Sequence, residues 1–214
     1  MHQPKSLQEL ARAKVSQAQL NEALLKTIKQ TVWQVVKDNN IQYQQNLQSI
    51  ESLLDAAADP NYCDPEKNLP LIYYAGECIK PSGLREWQSV LDPENYRYET
   101  IKILLSHGAN PDLLTPKMAK PFIWAALKDI HIVRLLLEYR ANPNILNSIN
   151  ETLLIYSAAY TSGEPVELAM LLLSHGADAQ LTNSDNETAL AAARRFKNLK
   201  LISLLEDLEI KKLA

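Results

Sequence analysis

Apolar residues in this chain fall into two alternating kinds of cluster. Leucine-rich runs close on a small, polar loop: LLSHGANPD at 104–112, LLEYRANPN at 136–144, LLSHGADAQ at 172–180, and a weaker LLDAAADPN at 53–61. Between them lie short apolar starts, LPLIYYA at 69–75, KPFIWAA at 120–126, TLLIYSA at 152–158 and TALAAAR at 188–194. The two kinds keep phase. Ala58, Ala109, Ala141 and Ala177 lie 51, 32 and 36 residues apart, and Pro70, Pro121, Leu153 and Ala189 repeat the same intervals. Unrelated leucine-rich segments would not hold two markers in register. The chain is therefore built from a unit of about 33 residues, with an insertion of about 18 in the first full copy.

Each unit reads as two helices. Asn147 and Asn150, and Asn183, Asp185 and Asn186, precede the last two starts, where such residues tolerate turns and cap a following helix. The second helix carries an apolar stripe, seen in Ile101, Ile103, Leu104 and Leu105 and again in Ile132, Val133, Leu135, Leu136 and Leu137. Gly108 and Gly176 follow these helices, where a left-handed residue ends the helix most cheaply as glycine. Arg140 replaces that glycine in the third copy, which predicts a cap that is strained or differently shaped.

Upstream, Leu25, Ile28, Val32 and Val35 give residues 19–37 a helical apolar face. The stretch NIQYQQNLQSIESLLDAAADPN predicts a second helix ending in the weak loop copy. Together they read as a diverged N-terminal cap over residues 19–61, shielding an otherwise exposed repeat face. Residues 1–18 form an arm or weak helix. The insertion, near 77–95, holds Ser82 where it caps a short helix from Gly83 to Leu91, with Trp87 and Leu91 on it.

The repeated unit resembles the ankyrin repeat, in which a T-P-L-H-x-A start opens one helix and a second ends in L-L-x-x-G-A-D/N. The resemblance covers roughly residues 50–210. It implies an all-α ankyrin-repeat solenoid of stacked helix-turn-helix units with short hairpin-like loops: about four units over 62–210, with a C-terminal cap at 181–210. One departure stands out. The family's histidine, which links neighbouring repeats by hydrogen bonds, is Ile72, Ile123, Ile155 and Ala191 here, so apolar packing is expected to hold the array instead.

The resemblance also implies a protein partner bound along a concave side made of hairpin tips and first helices. By phase, Tyr73, Trp124, Tyr156 and Ala192 fall at one position of that surface, and Glu77, Lys128, Tyr160 and Phe196 fall four residues later, on the same helix face. Tyr and Trp are favoured at binding hot spots, yet aromatics at the position of Tyr73 also pack between adjacent first helices. Arg195 joins Phe196 at the end of the last first helix, and the tips near 64–68, 113–120, 146–151 and 182–187 complete the expected contact set.

Composition narrows the alternatives. A hydrophobic fraction of 46% suits a packed core, and a net charge of −3 argues against a broad nucleic-acid or lipid-headgroup surface. The N-terminus lacks the apolar stretch of a secretory signal, and no apolar run approaches the ~20 residues that span a bilayer. Two cysteines, Cys63 and Cys78, without CxxC spacing fit a reducing compartment and leave room for one bridge. The expected location is cytoplasmic.

No metal-ligand spacing, phosphate-binding loop or nucleophile elbow occurs. The sequence thus predicts no enzyme, no cofactor, no metal and no small-molecule substrate. His107 and His175 sit in the last helical turn, a structural place for histidine. Three functional readings stay in play. The first is an interaction scaffold. In its more specific form the chain resembles ankyrin effectors that intracellular bacteria deliver into host cytoplasm, with which sparse glycine, abundant Asn, Gln, Lys and Ile, and the tail LLEDLEIKKLA are compatible. The second is a regulatory subunit of nucleic-acid-binding complexes, using the basic cluster Arg194, Arg195, Lys197, Lys200, Lys211 and Lys212. The third is an enzyme with an unrecognised site built from the insertion and the N-terminal arm, which requires a deep pocket holding His131, Cys63 or Cys78 with a carboxylate.

Overall fold

The computed structural model describes residues 15–34, 40–67, 69–76, 93–113, 129–147, 149–159 and 165–213. The described residues form helices α1 (Gln17–Gln34), α2 (Asn40–Asp55), α3 (Leu71–Gly76), α4 (Pro93–Ser106), α5 (Ile130–Glu138), α6 (Leu153–Ala159), α7 (Pro165–Ser174), α8 (Ala189–Arg195) and α9 (Leu199–Leu213). The insertion's expected helix and Trp87 lie outside these residues. The chain divides into two compact units, residues 1–115 and 116–214, a boundary that the sequence spacing does not mark.

Each unit has two helical layers. In the first, α1 packs on α3 while α2 packs on α4, and the hairpins α1–α2 and α3–α4 join the layers. In the second, α6 packs on α8, while α7 neighbours both α5 and α9. The apolar stripes explain the layering. Leu24, Ile28, Ile50, Ile101 and Leu104 are sealed in the first unit, and Leu135, Leu136, Leu153, Leu172, Leu201 and Leu205 in the second. Burying side chains of this size contributes ~1.5–3 kcal/mol each relative to exposure, so the stripes outweigh the modest helix propensity of such short segments.

The loops after the second helices are one structure made four times. The amides of Ala58, Ala109, Ala141 and Ala177 donate to the carbonyls of Leu53, Leu104, Leu136 and Leu172 at 2.9–3.0 Å, while the preceding residue's amide closes the tighter bond. That pairing needs a left-handed residue just before each alanine. Ala57 (φ 71°), Gly108 (88°), Arg140 (64°) and Gly176 (88°) all supply it. Arg140 therefore keeps the shape of the glycine caps and is strained, not differently shaped. Its Cβ opposes a left-handed backbone, while the Schellman bonds hold it there.

The next residue is always Asp or Asn. The side-chain oxygens of Asp59, Asn110, Asn142 and Asp178 accept the amide two residues on, at 2.8–2.9 Å. These Asx turns explain the polar half of the landmark. Two of the loops then reach the next repeat. Asn61 donates to the Gly108 carbonyl (3.1 Å) and accepts from the Asn110 amide (2.6 Å). Asn144 does the same to the Gly176 carbonyl (3.2 Å) and the Asp178 amide (2.8 Å). Polar links thus join repeats where the missing imidazoles suggested apolar packing alone.

The N-terminal pair closes in the same way. Asn21 on α1 accepts from the Asp59 amide at 2.8 Å, and Gln17 donates to the Ala57 carbonyl at 2.6 Å.

Candidate partner-binding surface

Between the repeats, the chain doubles back in short fingers. Asn147 and Asn183 each accept two backbone amides, those of Ile149 and Glu151 and those of Asp185 and Glu187, at 2.9–3.0 Å. Asn150 and Asn186 take the left-handed residue of each turn, both at φ 58°. These Asn residues fold the turns, as expected, but the helix caps are threonines. The hydroxyl of Thr152 accepts from the Ile155 amide and that of Thr188 from the Ala191 amide, both at 3.2 Å. Only a residue with extended backbone immediately before the helix can aim its oxygen at the first free amides, and Thr188 has it.

The fingers differ in what they present. Leu146 (45% exposed) and Ile149 (59%) stand in water near the tip of one finger. The neighbouring tip is polar, with Thr182, Ser184, Asp185 and Asn186 exposed, and Ser184 Oγ donates to the Ile149 carbonyl at 3.0 Å. An apolar tip is thereby held by a polar one.

The first unit's finger is closed by the Cys63–Pro70 bridge and organised by Asp64, at the phase position of Asn147 and Asn183. Asp64 is 1% exposed. It accepts from Lys29 Nζ on α1 at 2.7 Å, from the Glu66 amide at 2.9 Å and from the Tyr74 hydroxyl. Burial opposes ionisation here, but these bonds and the Lys29 charge outweigh it and hold the carboxyl well below the usual range. Lys29 also lies 5.0 Å from the centre of the Tyr74 ring. Above this cluster runs a groove of about 770 Å³ between α1 and the finger, lined by Leu25, Lys26, Lys29, Tyr62 and Pro65 among others.

The residues singled out by phase divide. Tyr73 departs from the expectation of a partner-facing ring. It is 2% exposed, packed within the first unit, and burial pushes its hydroxyl up to about 12. α3 starts at Leu71, and all five residues from Leu71 to Ala75 are buried, so this short helix has no open face there. Tyr156, on α6, is half-buried. Phe196 is 39% exposed, and the Arg195 guanidinium lies 4.4 Å from its ring centre while donating to Glu187 at 2.9 Å. That geometry links the finger base to the end of α8. Glu77, Trp124, Lys128 and Tyr160 lie outside the described residues.

Arg194 donates to Glu206 at 2.7 Å, so both arginines of the basic cluster are already paired within the chain. That lessens the charge available to nucleic-acid phosphates. Cys63 is half-buried, and burial followed by the Asp59 charge pushes its thiol up, away from the thiolate a nucleophile needs. Among the described residues no group of three His, Cys, Asp or Glu side chains is placed to hold a metal. No described helix is long and apolar enough to cross a membrane.

Sequence reasoning missed Asn61 and Asn144 as links between repeats, and the Lys29–Asp64–Tyr74 cluster. Phase was the available signal. Asn61 and Asn144 both stand three residues after a landmark alanine, and Asp64, Asn147 and Asn183 stand six after.

The family pattern of ankyrin repeats in three copies matches residues 92–183 and again 123–212, together more than half of the chain. The chain belongs to the ankyrin-repeat family. Its fold class is the all-α ankyrin solenoid, and ankyrin repeats are in general protein–protein interaction modules, usually scaffolds without catalytic activity. No curated protein matches the sequence significantly.

Proposed function

We propose that this ankyrin protein is an adaptor that holds a partner protein along its finger tips and first helices in the second unit. The observation that carries the reading is the tip formed by Leu146 and Ile149. Two aliphatic side chains stand in water on a turn fixed by Asn147 and by the neighbouring finger. Exposed apolar groups on a rigid turn bind at low entropic cost, because little is left to order. Tyr156, Arg195 and Phe196 extend the contact set from α6 to the end of α8, Trp124, Lys128 and Tyr160 remain proposed contacts there by phase, and Glu77 is a further contact by phase in the first unit. Tyr73 belongs to the packing of the first unit.

The test is affinity capture with the full chain from a cell lysate, read by quantitative mass spectrometry. Wild type is compared with a Leu146→Ser, Ile149→Ser double variant of unchanged melting temperature. The adaptor reading expects at least one protein to lose more than about tenfold in recovery, matching hot-spot losses above ~1.4 kcal/mol. Equal recovery of every protein by both forms would sink it. The finer reading, a bacterially delivered effector with a host partner in host cytoplasm, rests on composition alone. It requires the partner to be a host protein and the chain to reach host cytoplasm in an infection reporter assay.

A further inference from the structure

The hexapeptide LLSHGA occurs twice, at 104–109 and 172–177, and its two histidines begin alike. His107 Nδ1 lies 2.9 Å from the Ile103 carbonyl and 3.3 Å from Ser106 Oγ. His175 Nδ1 lies 2.9 Å from the Leu171 carbonyl and 3.2 Å from Ser174 Oγ. They differ at the other nitrogen. His107 Nε2 is 3.2 Å from Asp55 Oδ1, across the joint between α4 and α2. At the place of Asp55, the repeat before His175 has the exposed Glu138, and among the described residues no carboxylate reaches His175.

The donor count follows from these partners. A carbonyl has no proton to give, and neither has an ionised carboxylate. For His107 to satisfy both Ile103 and Asp55, both of its ring nitrogens must carry hydrogen, and the ring must be an imidazolium. A neutral ring has one N–H and must release one partner. His175 has a single acceptor to satisfy.

We propose that His107 and Asp55 form a protonation-gated staple between two successive repeats of the first unit, closed when the ring is charged and opened on one side when it is neutral. The surroundings favour the closed form. The charged groups about the joint are Glu51 and Asp55 from α2 and Glu99 and Lys102 from α4. The Ile103 carbonyl, then Asp55 and the Glu51 charge, raise the His107 value against the opposing effect of burial. A raised native value fixes the sign. The stability contributed by the staple is complete below the ordinary histidine range and is lost as pH rises through the native value. The device stands apart from the adaptor reading, since it uses the second-helix layer and no finger residue.

The experiment is a proton–carbon NMR titration of the histidine rings in the full chain between about pH 5 and 9, where histidine changes charge. His107→Gln and His175→Gln assign the signals. In wild type, His107 is expected to release its proton above the ordinary histidine range. Asp55→Asn should move the His107 midpoint down towards the ordinary histidine range. Asp55 is 71% exposed on its side chain, so the variant should fold normally. As a second readout, amide exchange at 56–61 and 107–110, corrected for intrinsic rates, should accelerate above the His107 midpoint in wild type and lose that step in Asp55→Asn. A wild-type His107 midpoint within the ordinary histidine range overturns the staple, and so does one that ignores Asp55→Asn.

Discussion

The two units are made from the same repeat, yet they use their polar and apolar residues in opposite ways. In the first, polar groups fasten one segment to another: Asp64 is sealed under Lys29 and Tyr74, Asn21 holds the α2 loop, and His107 meets Asp55 across a joint. In the second, apolar groups stand outside. Among the described residues, the large hydrophobics that are exposed, Leu146, Ile149, Met170, Phe196 and Leu199, all lie there. The repeat fixes the backbone of both units through the same Schellman and Asx bonds, so side chains off that framework are free to specialise. One unit spends them on internal fastening and the other on presentation.

The contrast can be broken from either side. The largest effect is expected from the shared core. Leu136→Ala, at a fully buried position of α5, should destabilise the second unit by ~2–5 kcal/mol in chemical denaturation. Next comes the internal fastening of the first unit. Asp64→Ala removes the carboxylate that Lys29 and the Tyr74 hydroxyl share. Removing one partner of a buried pair costs ~3–5 kcal/mol, and because Lys29 is a third exposed, about 2–3 kcal/mol is expected here. The same carboxylate sets an acid limit. Its native value is depressed, so its contribution is present above the unfolded value, 3.8, and is lost as pH falls below it. Exchange-detected opening of the first unit should therefore rise in acid in wild type, and this rise should be weaker in Asp64→Asn.

A smaller effect separates framework from presentation. Arg140→Gly removes a Cβ from a left-handed residue and should raise the melting temperature, corresponding to about 1 kcal/mol. Gly176→Ala should lower stability by a similar amount. A Cβ there meets nothing within 4 Å, so backbone strain alone would be responsible. Smallest of all should be the stability change on Ile149→Ser, within about 0.5 kcal/mol, because its side chain already stands in water.

What was legible in the sequence follows the same division. The repeat, its phase and its helices were readable because Schellman loops and apolar stripes demand particular residues at fixed spacing: Ala after the left-handed residue, Asp or Asn next, leucines before. Arg140 was legible as an anomaly but not as a shape, since the bonds from its own amide and that of Ala141 override its preference. Tyr73 and Tyr156 share one phase and differ in burial, because exposure depends on which neighbours cover the helix, and spacing carries no record of that. The His107–Asp55 and Asn61 contacts join residues about fifty positions apart, beyond the reach of any local pattern.

The proposed partner contact lies on the fingers and first helices of the second unit. It is tested most directly by hydrogen–deuterium exchange of the full chain with and without a captured partner. Protection on binding is expected at 145–151, 153–159 and 181–187, with the helices α7 and α9 unchanged. Protection confined to α7 and α9, or to the first unit alone, would contradict it.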